Sequence, residues 1–261
     1  AKTVELGESD GIIRKLRKSR VKSVAICFLH SYANPANEEK VRRRLQARGF
    51  FPSASHRVLR EYREFERAST TAINAYVAPL MERYLGQLEK RLSGNLLRVM
   101  QSNGGCVLAR SASEHPVGTI LSGPAGGVVG AKEAAAAAGF PKIISFDMGG
   151  TSTDVSLCDG EIATTTESVI SDLPLKMPLI DIHTVGSGGG SIAAIDRGGA
   201  LRVGPQSAGA DPGPVCYGRG EEVTVTDANL ILGRLDPDRF LGGGMTLYPE
   251  KAREVMKKLA A

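Results

Sequence analysis

The segment Asp147-Met148-Gly149-Gly150-Thr151-Ser152-Thr153-Asp154 constrains this 261-residue chain more than any other. It leaves the mostly apolar stretch 142–146 and enters a second one, 155–158. Two such runs joined by glycines and hydroxyl residues read as a β-hairpin. Adjacent glycines let the backbone approach a ligand closely and reach positive φ. Backbone N–H groups at such a tip converge as an anion-binding nest. Gly149 and Gly150 are therefore the expected phosphate cradle, and the hydroxyls of Thr151, Ser152 and Thr153 add donors without bulk. Asp147, at a strand end, suits Mg²⁺ or another divalent metal, because that hard cation keeps waters and takes few carboxylates. Asp154 is expected to help hold the metal or to orient a nucleophile. Asp147 and Asp154 are thus candidate catalytic residues.

Around this loop the chain alternates between strand and helix patterns, which makes the class α/β. Residues 11–20 read as a short helix and 21–29 as a strand covered on both faces. Asn37 is placed to cap a basic helix running to Leu45. Ser69 is the expected N-cap of a longer helix. Its residues Ile73, Tyr76, Val77, Leu80, Met81, Tyr84, Leu85, Leu88 and Leu92 have the spacing of one buried stripe, and Pro79 should kink it. Residues 96–100 read as a strand ending in the polar turn Gln101-Ser102-Asn103-Gly104-Gly105. Gly123-Pro124 opens an alanine-rich helix stopped by Gly139-Phe140-Pro141.

A second glycine run, Gly186-Ser187-Gly188-Gly189-Gly190-Ser191, departs from G-x-G-x-x-G, which disfavours a dinucleotide fold. Gly188, Gly189 and Gly190 are additional candidates for cofactor contact. Just before them, Asp181 and His183 alternate along an extended segment, a workable pair for metal binding or proton transfer. The ligand set expected for a metal is Asp147, Asp181 and His183, with His183 also a catalytic candidate. Residues 207–220 read as an ordered surface loop near the site or at a subunit contact. His30, His56 and His115 are expected to be structural. No P-loop, H-E-x-x-H or G-x-S-x-G string occurs, which excludes the corresponding ATPase, zinc protease and serine hydrolase chemistries.

Composition divides the chain. Of the Lys and Arg residues 20 fall in the first 100 positions against 10 Asp and Glu, whereas 26 of the 31 glycines lie beyond them. The expected domains are therefore 1–95, basic and glycine-poor with a long helix, and 96–261, which carries the phosphate loop. The basic half does not point to nucleic acid, because Trp is absent and Arg alternates with Glu through residues 60–67, as on a solvated helix face. The four cysteines are scattered without C-x-x-C spacing, consistent with buried free thiols in a reducing cytoplasm. No apolar run is long enough for a membrane helix.

The string 147–157 resembles the second phosphate-binding motif of the actin-like ATPase superfamily, shared by sugar kinases and heat-shock chaperones. More closely, the chain is similar to the hydantoinase A / 5-oxoprolinase family. The similarity extends over His30-Ser31-Tyr32-Ala33-Asn34-Pro35, residues 67–76, 100–105, 121–131, 181–193 and 203–235, nearly the whole chain. It implies a ribonuclease H-like actin-like ATPase fold, present in part, with 1–95 as the trailing part of a preceding α/β domain. It also implies an ATP-binding subunit that activates a small cyclic amide by phosphorylating its carbonyl oxygen. A hydantoinase subunit of a second type, or a fused domain, would complete ring opening, with an oligomeric full-length protein in the cytoplasm. Related subunits activate ketones for carboxylation, and a non-catalytic nucleotide-switched interaction protein is the alternative of another class. The family's first Asp-Gly-Gly-Thr hairpin and its later adenosine-binding Gly-Gly motif do not occur here. The chain is therefore expected to be an internal piece that does not turn over ATP alone.

Overall fold

The computed structural model describes residues 6–92 and 94–260. Helix α1 (Leu6–Lys18), strand β1 (Ser23–Ile26), helix α2 (Ala36–Gln46), strand β2 (Phe51–Ala54), the short α3 (Ser55–Val58) and the long α4 (Glu64–Arg91) come first. The pair β3 (Arg98–Met100) and β4 (Cys106–Leu108) leads into α5 (Ala109–Glu114) and α6 (Ser122–Ala137). Then follow β5 (Lys142–Met148), β6 (Thr153–Asp159), β7 (Glu161–Ile162), β8 (Thr164–Ile170) and β9 (Leu173–Ile180). The last elements are β10 (His183–Val185), β11 (Ser191–Ile195), β12 (Leu201–Ser207), α7 (Val225–Ile231) and α8 (Pro249–Leu259).

These elements form two compact units. The first comprises the described residues up to Ala134 together with Glu161–Asp181, and the second Ala135–Gly160 together with Ile182 onward. The units therefore do not divide at residue 95, where composition changes. The reason is packing: Leu85 of α4 is buried with Ala109 and Ala112 of α5, and Leu97, Val99 and Val107 pack against them. Ile73 of α4 likewise shares a core with Val117 and with Leu175 and Leu179 of β9.

In the first unit β1 and β2 pair in parallel, Ser23 opposite Phe51 and Ile26 opposite Ala54. Parallel neighbours require a crossover, which α2 supplies. Ile13, Ile26, Leu45 and Phe50 form the core beneath it. The strand is shorter than the apolar run that announced it, and Ala25 within it is exposed. Asn37 lies inside α2, whose N-cap position is Pro35 and carries no side-chain cap; just ahead of it Asn34 Oδ1 accepts the Ala36 N–H at 3.1 Å. The long helix begins at Glu64, five residues before Ser69, which is buried inside it. It passes through Pro79 as one continuous helix. Its apolar stripe is only partly core. Ile73 and Leu85 are buried, whereas Tyr76 is 88% exposed and Leu80 65%. The first turns of the helix are held by polar burial instead.

Arg67 is fully buried. Its guanidinium donates to the Ser31 hydroxyl, to the Phe28 carbonyl and to Glu64, and lies over the Tyr32 ring. Glu38, also fully buried, accepts from the amides of Phe28 and His56 (both 2.9 Å), from Ser55 Oγ (2.8 Å) and from His56 Nδ1 (2.5 Å). Buried charges are tolerated only when paired and hydrogen-bonded in this way. The stretches 30–35 and 67–76 are thus two halves of one polar lock, and His56 is structural as expected.

In the second unit β10, β6 and β5 form an antiparallel sheet in that order. Gly139 terminates α6 in the left-handed region (φ 85°), and the Phe140 amide returns to the Ala135 carbonyl at 2.8 Å. Strands β11 and β12 form a second antiparallel pair. Thr224 and Asp227 make a reciprocal capping box at the start of α7. Cys216, Leu230, Leu247 and Ala252 form the core that joins α7 to α8. Residues 213–216 are buried, so the expected surface loop dips into this core. Of the thiols, Cys158 and Cys216 are buried, whereas Cys106 is exposed. No helix among the described residues is long and apolar enough to cross a membrane.

Burial pushes the Glu38 carboxyl up, but the His56 and Phe28 amides, the His56 ring and Ser55 outweigh it, and its pKa lies below the ordinary 4.5. A carboxylate lowered in the folded state contributes stability that is fully present above about pH 4.5 and is lost as pH falls through the folded pKa. Glu38→Gln is expected to lower unfolding free energy at pH 7 by about 3–5 kcal/mol and to flatten the loss of stability below pH 4.5. Urea melts of both proteins at neutral and acid pH check this. An unchanged acid slope would contradict it.

Candidate functional site

The β5–β6 hairpin is tighter than its sequence suggests. Asp147 stands directly opposite Asp154 and Met148 opposite Thr153, so the loop proper is only residues 149–152. It closes with the Gly149 amide donating to the Ser152 carbonyl at 2.9 Å. Neither Gly149 nor Gly150 adopts a positive φ. A side chain at Gly150 would meet nothing within 4 Å. The pair therefore leaves an open face and does not relieve backbone strain. The amides of Gly150, Thr151 and Ser152 donate to no backbone carbonyl among the described residues, although Ser152 N lies close against the Gly188 backbone.

Side chains opposite each other on neighbouring strands share a face. One row therefore contains Asp147, Asp154 and Thr184, because Thr184 of β10 lies opposite Asp154. Thr184 Oγ1 donates to Asp154 Oδ1 at 2.6 Å. Like charges placed directly across a strand pair destabilise it unless something neutralises them. An all-oxygen donor set of two carboxylates fits a hard divalent cation.

His183 does not join them. It lies opposite Val155, which lies opposite Phe146. This next row along the sheet faces the other way, so His183 is on the far side from both aspartates. Asp181 belongs to the first unit, where its amide donates to the Ala163 carbonyl at 2.9 Å. The expected ligand set of Asp147, Asp181 and His183 is therefore not assembled: strand alternation separates His183 from Asp147. Among the described residues no group of three or more His, Cys, Asp or Glu side chains could hold a metal.

The second glycine run packs against the first. Gly189 N donates to Gly149 O at 2.9 Å and Gly190 N to Gly150 O at 2.6 Å. Gly188 N is bound by Ser191 Oγ at 2.8 Å. Thr153 Oγ1 donates to the Ser187 carbonyl at 2.5 Å, and Thr226 secures the Gly189 carbonyl with both its amide and its hydroxyl at 2.8 Å. With their amides so engaged, Gly188, Gly189 and Gly190 support the hairpin tip and have no donor left for a phosphate. They are glycines because of proximity. A Cβ on Gly188 would lie 2.7 Å from Gly149 O, Ser152 N and Thr151 C, and one on Gly190 2.9 Å from Gly150 O. Thr153 is similarly committed to the support.

Sequence reasoning passed over Thr184, Thr226 and Asp227. Only Asp227 had a readable signal, the Thr224-x-x-Asp227 spacing of a capping box before a helix. Its buried carboxylate accepts from the amides of Val215 (3.3 Å), Cys216 (2.7 Å) and Thr224 (2.8 Å). Burial, and then the neighbouring Asp227, push the Cys216 thiol up to about 12, so it is an inert core residue.

A family model described as Hydantoinase/oxoprolinase matches residues 67–261, and one for the Hydantoinase/oxoprolinase N-terminal region matches residues 1–49. The chain is 42% identical over 239 residues to a 5-oxoprolinase of Saccharomyces cerevisiae, covering 88% of this chain and 18% of that protein. Among solved structures, the ATP-dependent caprolactamase from Pseudomonas jessenii superposes with a TM-score of 0.79 at 37% identity, covering 95% of this chain and 37% of its own. A nucleotide-free acetone carboxylase, from a study of ATP-dependent acetone carboxylation, gives 0.72 at 32%, covering 94% and 36%. The chain thus spans little more than a third of these solved relatives. The α/β class and the partial ribonuclease H-like, actin-like ATPase fold read from the sequence stand with these likenesses.

The support role of the second run separates two substitutions. Gly188→Ala forces backbone atoms apart and is expected to lower unfolding free energy by about 1–3 kcal/mol, with amide resonances of residues 149–152 displaced. Gly150→Ala enters open space and should cost within about 0.5 kcal/mol. Chemical denaturation with amide NMR checks both, and equal costs would contradict the packing.

Proposed function

The chain belongs to the hydantoinase/oxoprolinase family, and on that premise we propose that it supplies the phosphate-binding half of an ATP site that activates a cyclic amide. The observation that carries this reading is the register of the hairpin. Two carboxylates face each other beneath a tip whose amides at residues 150–152 have no backbone acceptor. Phosphoryl transfer needs positioning and charge stabilisation more than covalent help from the protein. A tip with amides free of backbone acceptors beside a pair of carboxylates would supply both kinds of contact.

In this reading Gly150, Thr151 and Ser152 bind phosphate oxygens, with their amides and with the hydroxyls of Thr151 and Ser152. Asp147 and Asp154 would hold Mg²⁺, which when bound neutralises phosphate charge during transfer. Thr184 fixes one oxygen of Asp154 and so sets the direction of the other. His183, on the opposite face, takes no part. The ring carbonyl oxygen attacks the γ-phosphorus as the bond to ADP breaks. Water then adds to the activated carbon, and the C–N bond opens as the nitrogen takes a proton, leaving an acyl phosphate. A second water releases phosphate and the amino carboxylate. The water steps are assigned to a subunit or domain of the second type.

The test is ATP hydrolysis by the full-length protein together with its second-type partner. Stimulation by 5-oxoproline, hydantoin or caprolactam is expected, with ADP and a ring-opened product formed together. Asp147→Asn is expected to reduce kcat by about 100-fold, while His183→Ala leaves it near the parent value. Stimulation only by a ketone with bicarbonate, or only by peptide, would replace this reading with a carboxylase or a nucleotide-switched interaction protein.

A further inference from the structure

The first unit contains a cleft of about 490 Å³ that the reading above does not use. Its volume falls within the range of small-molecule sites. Phe50, Phe51 and Pro52 contribute apolar wall, and four charged side chains line it: Arg57 from α3, Glu82 from α4, and Arg110 and Glu114 from α5. None of these four forms an ion pair among the described residues. The one other arginine of the lining, Arg42, is already engaged, with Nε and Nη2 on the Glu39 carboxylate at 2.7 and 2.8 Å and Nη1 on Gln46 at 2.7 Å. His115 does not supply a missing cation either. Burial lowers its pKa, and the charge of Arg57 adds to that against the opposing pull of Glu114. The cleft therefore presents two guanidiniums and two carboxylates outside any ion pair, all four on exposed residues and with the charge of Glu114 also acting on Arg42.

An added β-strand is not a fitting occupant. The Phe51 amide is bonded to Lys22 of the β1 side at 2.9 Å, so by alternation position 52 faces the open edge. Proline there has no N–H to donate. We infer that the cleft binds a small amino carboxylate, its carboxylate on Arg57 and Arg110 and its ammonium on Glu82 and Glu114. Arginine suits the planar, two-oxygen end of such a ligand, and the apolar wall suits a methylene chain between the charges. Opening a cyclic amide yields a molecule of this class, so the cleft would receive the type of product made by the proposed reaction. That link rests on the proposed function, whereas the binding claim does not.

Isothermal titration of the 261-residue chain with 6-aminohexanoate tests it, with hexanoate and hexylamine as probes that carry one charge each. Binding of 6-aminohexanoate is expected, with either control at least about tenfold weaker. Arg57→Gln and Glu82→Gln should each weaken binding about tenfold, as loss of one charged hydrogen bond does. Both side chains are exposed, so melting temperatures close to the parent should verify folding, and Arg110→Gln replaces either variant that fails. Absence of binding, hexanoate binding as tightly, or indifference to both substitutions would overturn the inference. The titration contains no ATP and reads no turnover, so its failure leaves ring opening untouched. Failure of amide-stimulated ATP hydrolysis would likewise leave a positive titration standing.

Discussion

Two backbone hydrogen bonds, from the amides of Gly189 and Gly190 to the carbonyls of Gly149 and Gly150, hold the geometry on which the candidate site depends. They direct the Gly149 and Gly150 carbonyls toward the supporting loop, while the amides at 150–152 donate to no backbone carbonyl among the described residues. The approach is so close that only a residue without Cβ fits at 188. Under the proposed reading, a tip held by the protein itself is pre-organised, and a phosphate meeting it has little left to order. Ser191 closes the supporting loop on itself through Gly188, while Thr153 and Thr226 fasten it to the hairpin and to the first turn of α7.

The row of Asp147, Asp154 and Thr184 follows from the same hairpin. Once the loop is four residues long, pairing places the two aspartates opposite each other, and the register of β10 brings Thr184 to Asp154. Period-two alternation excludes His183 from that row with equal force. One residue of register is the difference between a carboxylate pair flanked by a hydroxyl and one flanked by an imidazole. The first unit depends on a different kind of interaction. Its helices meet through the buried charges of Glu38 and Arg67, each satisfied by several partners, so that stretches of chain far apart in sequence are locked by polar contacts and not by apolar area alone.

The hairpin was legible because glycines and hydroxyl residues between two apolar runs have few other uses. The alanine-rich helix with its glycine stop was legible for the same local reason. What could not be read was set by distant partners. The role of Gly188–Gly190 as support requires knowing that they meet residue 149, and nothing local says so. The stripe on α4 has helical spacing throughout, yet Tyr76 and Leu80 are exposed, because spacing defines a face without naming what covers it. Ser69 resembled a cap, but the helix starts at Glu64, where the buried Arg67 fixes its first turn. The division of composition near residue 100 marks where glycine loops begin. It does not mark a unit boundary, because α4 and α5 share one core across it.

The central claim is that Asp147 and Asp154, and not Asp181 and His183, form the cation-binding side of the site. Mn²⁺ titration of the 261-residue chain, followed by the paramagnetic resonance signal of the free ion, tests it most directly. Binding that is lost in Asp147→Asn and kept in His183→Ala is the expected result. Binding that survives Asp147→Asn but is abolished by His183→Ala would contradict the account.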